Sequence, residues 1–213
     1  MMVHALEALA RLEAGNRRFV AEQTVGASLS TTARRDALVS GQEPFAIILG
    51  CSDSRVPAEL VFDQGFGDLF VIRVAGNVVA PSQVGSVEFA ASRFSTRLVV
   101  VMGHSQCGAV VATLEELQGR ATTESKNLRS IVDRVRPAVE PLLSLGRVHG
   151  EDALIREAVR ANVRASVHQL RHGSELLETL IHESGLWIVG AEYSLETGVV
   201  DFFENVPVSR AGA

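Results

Sequence analysis

The sequence predicts an α/β fold: a mostly parallel central β-sheet flanked by α-helices. Three observations support that expectation. Short apolar runs, FAIILG (Phe45 to Gly50), DLFVIR (Asp68 to Arg73) and LVVVMG (Leu98 to Gly103), have the length of buried strands and stop at glycine or a charged residue. Segments of helical periodicity lie between them, and strands alternating with helices imply parallel crossovers. A chain of 213 residues that is 46% hydrophobic can bury one sizeable core, so a single domain over residues 1–213 is expected.

The opening MMVHALEALARLEAGNRRFV alternates apolar residues with Glu and Arg at helical spacing. It reads as an amphipathic helix within an N-terminal arm of about residues 1–40, able to wrap a neighbouring subunit or to cover its own sheet. It lacks the features of a signal peptide, and no window holds about 18 uninterrupted apolar residues, so a cytoplasmic chain without a membrane span is expected. The net charge of -5, with acids and bases interspersed, argues against a nucleic-acid or membrane-surface partner and for a small ligand.

Further along, PAELVFD predicts a short helix, SQVGSVEFAASRF a longer one and AVVATLEELQ another. After a polar loop over residues 120–126, NLRSIVDRVRPAVEPLL is helical until Pro137 and Pro141 interrupt it, and a further helical stretch runs from about Glu151 to Ser184. LWIVGAEYS predicts a fourth strand, and GVVDFF a fifth that pairs with it across the Glu196-Thr197-Gly198 turn.

The chemistry gathers where strands end. The only two cysteines are Cys51 and Cys107. A disulfide and a metal site compete for them, and a reducing compartment favours the metal. Cys51 follows one predicted strand while His104 and Cys107 follow another, and in open α/β sheets ligands bind at the carboxyl ends of the strands. Cys51, His104 and Cys107 make up a thiolate and imidazole set suited to catalytic Zn2+, which keeps its fourth position for water or substrate. His104 and Cys107 are close enough in sequence to aim at one point, and Gly103 and Gly108 allow close backbone approach.

Asp53 lies two residues from both Cys51 and Arg55, so in an extended segment all three point the same way. Its carboxylate can ligate zinc, which closes the site. Alternatively it pairs with Arg55 and leaves the fourth position to water, whose pKa falls to about 7 on catalytic zinc. Without the flanking ligands, the same two residues would be an ordinary loop ion pair.

CSDSR at Cys51 to Arg55, RVAGN at Arg73 to Asn77 and GHSQCGAV at Gly103 to Val110 resemble the β-class carbonic anhydrases. GNRRFV, PAELVFDQGFGDLFVIR, GSVEFA and the terminal IVGAEYSLETG extend the resemblance, which is dense up to about residue 118. It implies a zinc enzyme that interconverts carbon dioxide and bicarbonate through hydroxide generated at the metal, assembled as homodimers or homotetramers. Cys51, His104 and Cys107 would be the zinc ligands, and Asp53 and Arg55 the dyad gating the fourth position. Phe70 and Phe89 would wall an apolar pocket, although plant-like members often carry tyrosine where Phe89 stands. Gln42 would reach the pocket across a dimer interface to hydrogen-bond bicarbonate, and the Gly108 N–H would face the bound anion. Without the resemblance, Phe70 and Phe89 are core residues, Gln42 is a loop residue and Gly108 lets the chain turn. Ile48 stands where some members have the tryptophan of a second bicarbonate site, so no such site is expected. Hydrolysis of carbon disulfide or carbonyl sulfide on the same metal, and a non-catalytic zinc-stabilised module, are the rival readings.

Overall fold

The computed structural model of the chain describes residues 3–25, 30–145 and 150–206. Helix α1 (Ala5–Val20) and a short α2 (Thr32–Ala37) lead into an alternating run. That run comprises β1 (Ala46–Gly50), α3 (Ala58–Val61), β2 (Leu69–Arg73), a 3-10 turn (Ala75–Asn77), α4 (Pro81–Arg93), β3 (Leu98–His104) and α5 (Gly108–Leu117). Helices α6 (Lys126–Leu145), α7 (Glu151–His172) and α8 (Glu175–Ser184) precede β4 (Trp187–Tyr193) and β5 (Val200–Glu204).

The strands form one sheet in the order β2-β1-β3-β4-β5. The first four run parallel, and β5 returns antiparallel to β4 with an irregularity at Gly190/Ala191. This is the α/β architecture expected from the alternation, including the pairing of the last two strands. Every residue of β1 and β3 is buried, because helices cover both faces of a parallel sheet. Ile48, Val100 and Met102 point to one side, against Leu9 and Leu12 of α1. Ile47, Leu49, Val99 and Val101 point to the other, against Val87 of α4, Val163 and Val167 of α7 and Leu177 of α8.

Of the two placements open to the amphipathic N-terminal segment, the structure shows the one on its own sheet; residues 1, 2 and 26–29 of the arm lie outside the described residues. Two residues of α1 seat it. A Cβ on Gly15 would lie 1.8 Å from the carbonyl oxygen of Phe62, so only glycine allows this approach. The buried Asn16 donates from Nδ2 to the carbonyls of Val61 (3.1 Å) and Gly198 (2.9 Å), and its Oδ1 accepts from the Val200 N–H (2.9 Å).

Two helix expectations need correction. Pro137 and Pro141 do not interrupt α6, which continues through both. They lie on its exposed face, where water can hydrate the carbonyls they leave unpaired, while Val132, Val135 and Val139 keep a continuous apolar stripe against α5 and α7. The stretch from Glu151 to Ser184 is two helices, broken at Gly173. Ser174 then caps α8, its Oγ accepting from the Leu177 N–H at 3.2 Å. Among the described residues, no helix is long and apolar enough to cross a membrane.

Gly15→Ala forces a methyl group against a backbone oxygen that has no rotamer to move to. The expected cost is about 3 kcal/mol, read as a lower urea midpoint. An unchanged midpoint would mean that α1 is not seated against Phe62.

Candidate metal centre

Gly50 of β1 is in register with Met102 of β3, so the two parallel strands deliver Cys51 and His104 from the same sheet edge. The chain then turns through Gln106, which takes a left-handed φ of 55°, and Cys107 begins α5 as its N-cap residue. The result brings the two Sγ atoms and a His104 ring nitrogen within 4.8 Å of one another, all from buried residues.

The donor set fits zinc. His104 Nδ1 lies 2.9 Å from the Ser105 carbonyl oxygen, which can only accept, so Nδ1 carries the proton and Nε2 the lone pair. That Nε2 is buried and has no hydrogen-bond partner, as expected of an atom reserved for a metal. Tetrahedral zinc with bonds of about 2.0–2.3 Å needs donors separated by roughly 3.5–3.8 Å, so these side chains need only close by on the order of 1 Å.

The two thiols share a proton. Cys51 is pushed well below the ordinary thiol range, chiefly because the Cys107 thiol donates to it, with help from the Gly76 N–H (3.4 Å from Sγ) and against the effect of burial. Cys107 moves the opposite way, raised by giving that hydrogen bond to Cys51 and by its own burial. A divalent cation displaces the shared proton and satisfies both sulfurs.

Asp53 turns toward Arg55. Its Oδ1 accepts from the Arg55 N–H and Nε, both at 2.9 Å, and its Oδ2 accepts from Nη2 at 2.7 Å. This two-pronged grip holds the carboxyl well below the usual carboxylate range, and Asp53 raises the guanidinium in return. Oδ2 still stands 3.8 Å from His104 Nε2, beside the site but outside the trio.

The remaining expected residues distribute differently. Gly108 opens α5 beside Cys107, and a Cβ there would meet nothing within 4 Å. Gln42 precedes β1, at the end of the strand away from Cys51, so the single chain does not bring it to the metal ligands. Phe70, Phe89 and Phe94 cluster with ring centroids 5.6–6.2 Å apart. Phe89 is not a core residue: it is 54% exposed, because it rides the outer side of α4 beside the edge strand β2, with no further strand to cover it.

Sequence reasoning missed the residues that hold the ligand loops. Arg73 donates from Nε to the Cys51 carbonyl (3.0 Å) and from Nη2 to the Asp53 carbonyl (2.6 Å). The polar end of its strand, next to a loop full of carbonyls, was the available signal. Asn162 Nδ2 donates to the Gly76 carbonyl (2.7 Å) and Ser166 Oγ to that of Asn77 (3.1 Å), so α7 braces the turn whose N–H reaches Cys51. Nothing local marks those two except polarity on the buried side of a helix.

A parallel sheet with two cysteine sulfurs and one imidazole at its carboxyl edge, and an acid turned aside, defines an α/β protein with a donor set of the kind that holds a catalytic metal. The family described as Carbonic anhydrase matches residues 46–200. Carbonic anhydrase 2 of Mycobacterium tuberculosis is 40% identical over 187 residues, 88% of this chain and 87% of the relative. The carbonic anhydrase of Mycolicibacterium smegmatis is 40% identical over 190 residues, 89% of each. The crystal structure of the β-carbonic anhydrase CafA of Aspergillus fumigatus superposes with a TM-score of 0.73 at 25% identity, covering 93% of this chain and 90% of that one. The chain belongs to the β-class carbonic anhydrases.

Because the hydrogen bond from Cys107 holds Cys51 ionised well below the ordinary thiol range near 8.5, thiol–disulfide exchange on the metal-free protein is expected to depend far less on pH across neutrality than that of a free cysteine. The check is the rate of modification by a small disulfide reagent, with Zn2+ protecting. A tenfold rise per pH unit would rule out the thiol–thiolate pair.

Proposed function

We propose that this chain catalyses the reversible hydration of carbon dioxide to bicarbonate and a proton, with Cys51, His104 and Cys107 holding one Zn2+ ion. The observation that carries the reading is the convergence of three buried donors beside an acid engaged by Arg55, which leaves a fourth direction open. A purely structural site has no use for a carboxylate with an alternative partner.

In such a site zinc supplies Lewis acidity, so that water deprotonates near pH 7. The residues of the chain do the rest. Asp53, kept ionised by Arg55, can only accept a hydrogen bond. Its Oδ2, facing the site, therefore orients the O–H of the nucleophile and directs a lone pair to the carbon of carbon dioxide. The open space beside Gly108 gives the product a backbone N–H to lean on, and the proton released leaves to buffer.

The working unit is a homodimer, or a homotetramer built from such dimers, in the cytoplasm, where both thiols stay reduced. Support comes from the exposed Phe89, which stands on the half-buried Phe70 and Phe94 and offers an apolar surface a second copy would cover. In that arrangement Gln42 of one copy can approach the site of the other and hydrogen-bond bicarbonate, and the phenylalanines wall the apolar approach.

Stopped-flow hydration on protein of known zinc content tests the reaction. Asp53→Ala should retain zinc and lose about 10²-fold in kcat/KM, whereas Cys107→Ser should lose the metal and the activity together. No hydration by zinc-loaded wild type at any pH would reject the reading. Phe89→Arg should shift the sedimentation coefficient toward that of the monomer; an unchanged value would place the interface elsewhere.

A further inference from the structure

We infer that Ser105, locked by Glu196, is a positioning residue that aims His104 at the metal. The inference rests on the metal reading of the three-donor site and not on the reaction catalysed there.

Ser105 sits between His104 and Cys107, and each of its polar groups is committed. Its N–H donates to the Tyr193 carbonyl at 2.9 Å, which continues the pairing of β3 with β4. Its carbonyl accepts from His104 Nδ1 at 2.9 Å, the contact that leaves the lone pair on Nε2. Its Oγ accepts from the Leu195 N–H at 2.9 Å and donates to Glu196 Oε2 at 2.8 Å. The same Oε2 accepts from Ser194 Oγ at 3.0 Å, and Ser194 Oγ accepts in turn from the Thr197 N–H at 3.1 Å. The turn between β4 and β5 is thus wrapped around one hydroxyl.

The direction of these bonds follows from the groups. A carboxylate has no proton to give, so the Ser105 hydroxyl must point at Glu196 and present its lone pair to Leu195. A hydroxyl satisfies both at once; alanine satisfies neither. With both bonds made, the Ser105 peptide cannot swing, and its carbonyl stays where it holds Nδ1–H. Without them Ser105 keeps only its backbone bond to the Tyr193 carbonyl, and its own carbonyl and the imidazole gain freedom to rotate away from the two sulfurs.

The test is competition for Zn2+ against a chromophoric chelator on full-length protein. Ser105→Ala should weaken zinc binding by roughly 10–100-fold and Glu196→Ala by about tenfold, while Ser105→Thr and Glu196→Gln, which keep the hydroxyl and the acceptor, should bind like wild type. Melting of the metal-free variants should stay within about 2 °C of wild type, as for surface substitutions. In the metal-free protein, the nitrogen-15 shifts of the His104 ring should report a fixed Nδ1–H tautomer in wild type and averaging in Ser105→Ala. Wild-type affinity in either alanine variant overturns the pairing, as does an affinity loss matched by an equal loss of metal-free stability. Wild type that binds no Zn2+ would instead reject the metal reading itself.

Discussion

The parallel pairing of β1 with β3 is the constraint on which the metal centre depends. With Gly50 beside Met102, the two strands end at one edge, which brings together a sulfur from the loop after β1 and the imidazole of the last residue of β3. Antiparallel pairing of the same two segments would send Cys51 and His104 to opposite ends of the sheet. The apolar faces that stabilise the parallel arrangement also bury all three ligands, so the charge on the sulfur pair is felt at low effective dielectric. Burial favours a bound cation there as strongly as it disfavours two free thiolates.

Each donor is held by a different part of the chain. The Cys51 sulfur receives the Gly76 N–H, and α7 braces that turn. The loop carrying Asp53 is clamped by Arg73 through two backbone carbonyls, which frees the Asp53 side chain to choose its partner. Arg55 engages that side chain from only two residues away and is itself mostly exposed, so its grip is reinforced locally and screened by solvent. A buried trio beside a carboxylate held by an exposed partner separates the packed part of the site from its solvent-facing part.

Strand ends and the clustering of Cys51, His104 and Cys107 were legible in the sequence because both signals are local: an apolar run stops, and a cysteine or histidine stands at its end. The placement of Asp53 against Arg55 was legible as one of two alternatives, since spacing puts them on one side without choosing between zinc and guanidinium. What was not legible depends on distant partners. Pro137 and Pro141 break helices in isolation, and only the contacts of Val135 and Val139 with neighbouring helices carry α6 through them. The exposure of Phe89 follows from β2 being an edge strand, a fact of strand order that no residue near Phe89 encodes. Asn162 and Ser166 act on backbone carbonyls, which have no sequence signature at all.

The contacts that shape the centre span long stretches of chain: 25 residues from Cys51 to Gly76, 86 from Gly76 to Asn162 and 91 from Ser105 to Glu196. Asn16 joins the first helix to Gly198 across 182. During synthesis the three donors leave the ribosome well before the elements that aim them, and closing such long loops is slow. With Cys107 at the midpoint of a 213-residue chain, the nascent chain therefore carries two uncoordinated thiols only through the later part of its translation. Protection of those sulfurs from oxidation in that interval cannot come from the fold, because the fold is not yet there.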